Sequence, residues 1–160
     1  MGKYLKLCAM IMGCGLAFGC AAKQNAADEN MRVERFRRSY EAALDEDQAQ
    51  ASRQLRKARS AIGTPYVRGG SSPGGFDCSG FVCWAYKSVG VQLPRTAREQ
   101  SAVGQRIKNQ EDMRAGDIVA FRHPRRGYHT GIYVGDGKFI HSPRRRTKVR
   151  INSLSDPYFS

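Results

Sequence analysis

Cys78 follows a glycine-rich stretch, Arg68-Gly69-Gly70-Ser71-Ser72-Pro73-Gly74-Gly75, and opens a segment whose apolar residues, Phe81, Val82, Ala85 and Val89, recur at helical spacing. A thiol at such a start sits among unpaired backbone N–H groups. The helix N-terminus favours the thiolate, and a nearby histidine lowers the thiol pKa further. The chain has three histidines, and two of them, His129 and His141, lie in strand-like segments, His129-Thr130-Gly131-Ile132-Tyr133-Val134 and Phe139-Ile140-His141-Ser142. Asp136-Gly137 between them marks a tight turn. The midpoint of the pair is residue 135, beside that turn, so the two imidazoles are expected to face one another across adjacent strands, on one face of a sheet. Thiol nucleophile, imidazole base and a third group that orients the base are the parts of covalent acyl-transfer chemistry. Two other readings stay open on residue type alone. One is an inert cysteine beside two satisfied core histidines. The other is zinc held by one thiol and two imidazoles, against which stand the absence of closely spaced ligand pairs and of an adjacent acidic base. No metal or other cofactor is expected.

These residues need elements to hold them. Helical periodicity runs through Val33, Phe36, Tyr40 and Leu44, and again through Ala51, Leu55, Ala58 and Ile62, which predicts one broken or two short amphipathic helices before Gly63, with a restart near Asp45-Glu46-Asp47. The glycine loop is expected to lack regular structure. A helix from Asp77 or Cys78 to Val89 should stop at Gly90, and Thr96 with Glu99 forms a capping-box pattern for a further short helix. After Gly116 the period changes: residues 118–121, 131–134, 139–142 and 149–152 read as short strands. Helices first and an antiparallel meander second is an α+β layout. Cys78 and Cys83, five apart on one helix, point to different sides and are not expected to pair.

The N-terminus carries an address. Lys3 and Lys6 precede an apolar run over residues 7–18 that ends at Gly19-Cys20, the pattern of an export signal and too short for a stable membrane span. The stretch Leu16-Ala17-Phe18-Gly19-Cys20 resembles a bacterial lipoprotein signal, in which the cysteine becomes lipidated; Cys14 offers a second, shorter match. Residues 21–30 are small and polar and read as a tether, which with a possible short helix extends to residue 45, leaving 46–160 as one domain. Lys and Arg number 27 against 14 Asp and Glu, a formal charge of +13; loss of residues 1–20 removes two lysines and leaves +11. Anionic partners follow from that sign, and export makes them envelope polyanions and not nucleic acid, for which no motif is present. The basic clusters at 122–126 and 144–150 flank the two histidine segments; a solvated face and a wall- or lipid-binding face both remain open.

Six segments in order, Gly63-Thr64-Pro65-Tyr66-Val67-Arg68-Gly69-Gly70, Phe76-Asp77-Cys78-Ser79-Gly80-Phe81-Val82, Leu93-Pro94-Arg95-Thr96, Gly116-Asp117-Ile118-Val119, His129-Thr130-Gly131-Ile132-Tyr133-Val134-Gly135 and Phe139-Ile140-His141-Ser142, resemble the NlpC family of cell-wall cysteine peptidases. The resemblance covers residues 60 to 153 or so. It implies a papain-like fold, with the helix that begins at the catalytic cysteine packed on an antiparallel sheet, and hydrolysis of peptide bonds in peptidoglycan stem or cross-link peptides by a monomer. It implies Cys78 as nucleophile, His129 as base and His141 as the orienting residue. Tyr66 would offer its hydroxyl near the oxyanion alongside the Cys78 backbone N–H, and Asp77 and Ser79 would line the substrate groove. Arg68 departs from an aromatic or apolar residue common in the family, which bears on subsite preference. The chain's last residues also stop where relatives commonly continue into a basic and aromatic stretch, so the closing edge is expected to be incomplete. An amidase or acyl transferase on the same thiol, and an inactive envelope-binding lipoprotein, are the rival functions. The expected location is the cell envelope, on a lipid anchor facing periplasm or exterior. The anchor is directly testable: labelled palmitate should enter the wild-type protein and not Cys20→Ala, and wild type should fractionate with membranes. Equal labelling of both would move the anchor to Cys14, and no labelling of either would rule it out.

Overall fold

The computed structural model describes residues 19–124 and 127–159; residues 1–18, where the export signal is expected, lie outside the described residues. Two compact units divide the chain, Met1–Leu44 and Asp45–Ser160. Helix α1 spans Gly19–Ser60, 42 residues without a break, so neither the tether at 21–30 nor a restart at Asp45-Glu46-Asp47 is seen. No glycine or proline stands between Gly19 and Gly63, and Ala, Gln, Glu, Lys and Arg, all good helix formers, dominate the run. As helix, residues 21–30 rise about 15 Å in place of the roughly 33 Å of an extended tether. Within the first unit Met31, Val33, Phe36 and Tyr40 are exposed.

In the second unit the last turns of α1 enter the core, with Ala58 fully buried and Ala61 nearly so. The glycine loop is more regular than expected. Strands β1 (Ser71–Ser72) and β2 (Gly75–Phe76) pair antiparallel around Pro73-Gly74. Helix α2 spans Cys78–Lys87 and α3 spans Ala97–Gln100. The expected capping box at α3 is formed, the Thr96 side chain accepting from the Glu99 N–H and the Glu99 carboxylate accepting from the Thr96 N–H. Strands β3 (Ile118–His123), β4 (Gly127–Gly135), β5 (Lys138–His141) and β6 (Arg150–Ser153) form an antiparallel meander in that order. The edge strand β6 pairs with β5 along all four residues, from His141 opposite Arg150 to Lys138 opposite Ser153. Helices packed on an antiparallel sheet give the α+β architecture that the sequence predicts.

Alternation along the strands sorts the sheet into two faces. Ile132 and Ile140, with Ile118 and Ile151 partly buried, join Phe81, Val82 and Ala85 of α2 in the main core. Val119, Tyr133 and Phe139 form a second cluster on the other face, closed by Phe121, Leu154 and Phe159. The histidines follow the second parity, and one residue decides that they do so together. The β4–β5 turn has Asp136 and Gly137 both at positive φ, 53° and 64°, with Gly135 opposite Lys138. Carried outward unchanged, that register would set 129 and 141 on opposite faces. A bulge between Tyr133 and Gly135 adds one residue to β4, after which Tyr133 pairs with Phe139 and Ile132 with Ile140. The slip of one returns both histidines to one face. They sit diagonally and not directly opposite as expected, because His141 falls beside Gly131. A Cβ on Gly131 would stand 2.8 Å from the Ile140 carbonyl and 3.1 Å from the His141 Cβ.

A second glycine sets the Cys78 helix against its loop. A Cβ on Gly80, in the first turn of α2, would meet the Gly70 carbonyl oxygen at 2.1 Å, and that carbonyl already accepts from the Asp77 N–H at 3.0 Å. Gly80→Ala should therefore destabilise the fold by about 1–3 kcal/mol, as overpacking against backbone does, read as a lower urea midpoint. Gly74→Ala, whose Cβ meets only the Ser72 hydroxyl at 3.9 Å, is the control and should leave the midpoint unchanged.

Candidate active site

Cys78 is the first residue of α2, and Asp77 is its N-cap. The Asp77 carboxylate accepts from the Gly80 N–H at 2.7 Å and from the Gly69 N–H at 3.0 Å, tying helix start to glycine loop. Arg95 reaches it with both arms of the guanidinium, at 3.0 and 2.8 Å, a bidentate pair that fixes direction as well as charge. One arm also donates to the Ser79 hydroxyl at 3.0 Å. Burial pushes the Asp77 carboxyl up, but the Arg95 guanidinium and the backbone N–H groups outweigh it and hold the pKa below the usual carboxylate value. Asp77 and Ser79, expected in the substrate groove, frame the helix start at Cys78, and Ser79 is almost fully buried.

Burial raises the Cys78 thiol above its ordinary pKa, while the backbone groups of Thr130 and Ser79 act the other way. Thr130 is the neighbour of His129, so the thiol lies against the strand that carries His129. Tyr66 is held by its N–H to the Thr147 carbonyl at 2.9 Å and by a parallel bridge to Phe76. Its hydroxyl pKa is raised, first by burial and then by the charges of Cys78 and Asp77. Tyr66 therefore stays a protonated donor within electrostatic reach of the thiol. Cys83, on the same helix, is a free thiol like Cys78 and lies against the Pro94 carbonyl at 3.3 Å.

His129 Nε2 and His141 Nδ1 are 2.7 Å apart, so the expected imidazole–imidazole contact is made, with the rings nearly perpendicular at 82°. His141 Nε2 lies 3.2 Å from Asn152 Oδ1, and Asn152 Nδ2 donates to Asp156 at 2.9 Å. Aromatic rings surround the pair: Phe121 and Phe159 stack on His129, and Phe139 and Phe159 lie against His141. Burial depresses both imidazoles, His129 to about 4 and His141, with a further contribution from the charge on His129, to about 3. Both are neutral at ordinary pH.

Sequence reasoning assigned no role to Arg95, Gln100 or Asn152. Arg95 stood inside a quoted motif, but its bond to Asp77 spans 18 residues. Gln100 is 1% exposed. Its amide donates to the carbonyls of Ser79 and Pro94 and accepts from the Thr130 hydroxyl, joining α2, the loop before α3, and β4 beside His129. Asn152 gave no motif signal, and only strand register brings it to His141. Cys20 belongs to the first unit, where it is the second residue of α1. Among the described residues no three His, Cys, Asp or Glu side chains cluster so as to hold a metal ion.

The chain is similar in sequence and fold to known proteins. The family model described as NlpC/P60 family matches residues 63–160. The murein DD-endopeptidase MepH of Escherichia coli K12 is 46% identical over 110 residues, which cover 66% of this chain and 41% of that protein. The gamma-DL-glutamyl hydrolase of Bacillus subtilis 168 is 42% identical over 109 residues, covering 66% of this chain and 26% of that one; the chain thus spans less than half the length of either relative. Among solved structures, an NlpC/P60 family protein from Bacillus cereus superposes with a TM-score of 0.64 at 37% identity, over 68% of this chain and 36% of that chain. The NlpC/P60 domain of the peptidoglycan hydrolase SagA superposes with a TM-score of 0.60 at 35% identity, over 65% of this chain and 89% of that domain. With the family model spanning the loop, the thiol helix and every strand of the meander, the chain belongs to the NlpC/P60 family and its second unit has the family's papain-like fold.

Proposed function

We propose that the protein is a peptidoglycan endopeptidase, cutting stem or cross-link peptide bonds with Cys78 as nucleophile, His129 as base and His141 as the residue that orients the base. The observation that carries this reading is the His129–His141 hydrogen bond. Because Nε2 of His129 is engaged by His141, Nδ1 is the nitrogen left to take a proton. The Cys78 sulfur attacks the scissile carbonyl carbon as its proton passes to His129 Nδ1. The oxyanion that forms is met by the Cys78 backbone N–H and the Tyr66 hydroxyl, donors that cost no reorganisation when charge develops. His129 then protonates the departing amine, which leaves a thioester on Cys78. Water, deprotonated by His129, attacks that thioester and frees the thiol and the new carboxylate.

The two relatives are named for different bonds, a murein DD-peptide bond in one and a γ-DL-glutamyl bond in the other, and the first lies in the substrate class proposed. The cell envelope is the site of action proposed here, supported by the signal-like residues 1–20 and, for the anchor, by Cys20. The net charge of +13 suits retention on envelope polyanions.

Purified protein incubated with sacculi should release muropeptides detectable by mass spectrometry, and Cys78→Ala and Cys78→Ser should release none while remaining folded. Cys83→Ala should keep full activity. Wild-type turnover by Cys78→Ala would end the thiol mechanism, and amine-transfer products in place of hydrolysis would favour the acyl transferase. EDTA should leave activity unchanged and a thiol alkylator should abolish it; loss in EDTA with recovery on adding zinc would mean a metal enzyme. The acid limb of kcat/KM reports the free base. With His129 depressed to about 4, that limb should lie well below 6.5, the ordinary histidine value. An acid limb at or above 6.5 would contradict a dry imidazole base.

A further inference from the structure

Residues 154–159 follow β6 and fold back over the histidine pair. Asp156 is where this turn is fastened. Its Oδ2 accepts from Asn152 Nδ2 at 2.9 Å and its Oδ1 from the Tyr158 N–H at 3.0 Å, and these two hydrogen bonds hold its carboxyl below the usual range. The Phe159 N–H donates to the Asp156 carbonyl at 2.9 Å, which brings the Phe159 ring to 5.6 Å from the His129 ring, stacked, and to 5.0 Å from the His141 ring, edge on. The same ring touches Phe121 and Phe139, so it closes the aromatic wall around both imidazoles.

The hydrogen-bond inventory of this row leaves one solution. An ionised carboxylate only accepts, so the Asn152 edge facing Asp156 is the Nδ2 edge, and the edge facing His141 is the carbonyl Oδ1. An amide oxygen also only accepts, so His141 Nε2 carries its proton. A neutral imidazole holds one ring proton, so His141 Nδ1 is a bare acceptor and the bond at 2.7 Å takes its proton from His129 Nε2. His129 Nδ1 is then bare, which is the state a general base needs. Remove the carboxylate and Asn152 is free to turn its Nδ2 edge to His141; the whole row then reverses, and His129 presents Nδ1–H.

We propose that the end of β6 and the turn after it, residues 152–159, are a positioning device for the base, in which Asp156, acting through Asn152, sets the tautomer of His141 and so of His129, while the Phe159 ring covers the buried His141 and one face of the partly exposed His129. This rests on the reading of His129 as base, but its test does not require turnover. The charged groups acting on the pair are Arg150 of β6 and Asp156 of the turn, with Cys78 of α2 lying against the β4 backbone beside His129.

Long-range ¹⁵N–¹H spectra of the ¹⁵N-labelled full chain read ring protonation directly, with the three histidines assigned by single His→Gln variants. Wild type should show the Nε2–H tautomer at both His129 and His141. Asp156→Ala should show a mixture with Nδ1–H at both, and kcat on sacculi should fall with KM little changed; Asp156→Asn, which keeps an acceptor oxygen, should recover part of the Nε2–H population. Phe159→Ala should raise the His129 protonation midpoint from about 4 toward 6.5, and Phe159→Tyr should restore it. If Phe159→Ala fails to fold, Phe159→Leu, which keeps apolar bulk without the ring, should give a midpoint between those values. Pure Nε2–H tautomers in Asp156→Ala, or an unshifted midpoint in folded Phe159→Ala or Phe159→Leu, would overturn the proposal. Tautomers and midpoints that move as stated in a protein that releases no muropeptide would uphold the positioning and reject the peptidase.

Discussion

The Asp77 carboxylate accepts five hydrogen bonds, from the N–H groups of Gly69 and Gly80, the Ser79 hydroxyl and both arms of Arg95. The donors come from three parts of the site. Gly69 brings the glycine loop, Gly80 and Ser79 the first turn of α2, and Arg95 the segment leading to α3. A helix start has unpaired N–H groups that must be satisfied, and here one side chain takes that of Gly80 while also holding the glycine loop through Gly69. The lack of a Cβ at Gly80 lets the Gly70 carbonyl approach the helix, so cap and close packing are one arrangement. The position of Cys78 is a consequence of it, since that thiol is on the residue next to the cap.

The histidine pair is built on a different principle. Where Asp77 gathers charge and donors, the histidines are neutral, surrounded by phenylalanine rings and linked in a row that ends at Asn152 and Asp156. Burial favours the uncharged imidazole, and a neutral imidazole must find one donor and one acceptor. The row supplies both at His141, and at His129 it engages Nε2 and leaves Nδ1 for chemistry. Gln100 joins the two halves: it reaches the Ser79 carbonyl on α2 and the Thr130 hydroxyl on β4, so thiol helix and base strand are coupled through a single buried amide. The low dielectric around such a network makes a missing partner costly, which is how a site with this few polar groups keeps one geometry.

Local chemistry made much of this legible from the residues in order. The helix at Cys78 was visible in the spacing of Phe81, Val82 and Ala85, the α3 start in Thr96 and Glu99, and the hairpin in Asp136-Gly137, because each of these signals acts within a few residues. The same local reasoning failed over residues 21–60. Small polar residues at 21–30 suggested a tether, yet nothing there breaks a helix, and α1 runs through. The glycine loop was likewise taken as irregular, whereas Pro73-Gly74 turns a short pair of strands.

What the sequence by itself determined is therefore the inventory and its near neighbours: one thiol at a helix start, two imidazoles flanking a turn, an α+β order of elements, and six motifs that resemble one family. What only the tertiary structure decided is how those pieces meet. The midpoint argument placed His129 opposite His141, and the bulge between Tyr133 and Gly135 made them diagonal partners instead, because register depends on pairing across strands and not on residue count. Arg95, Gln100 and Asn152 entered the site the same way, through bonds to residues 18, 21 and 11 positions distant. Hydrogen bonds at that range carry no periodic trace in the chain. They exist only once the sheet has set its register and the core has closed over it.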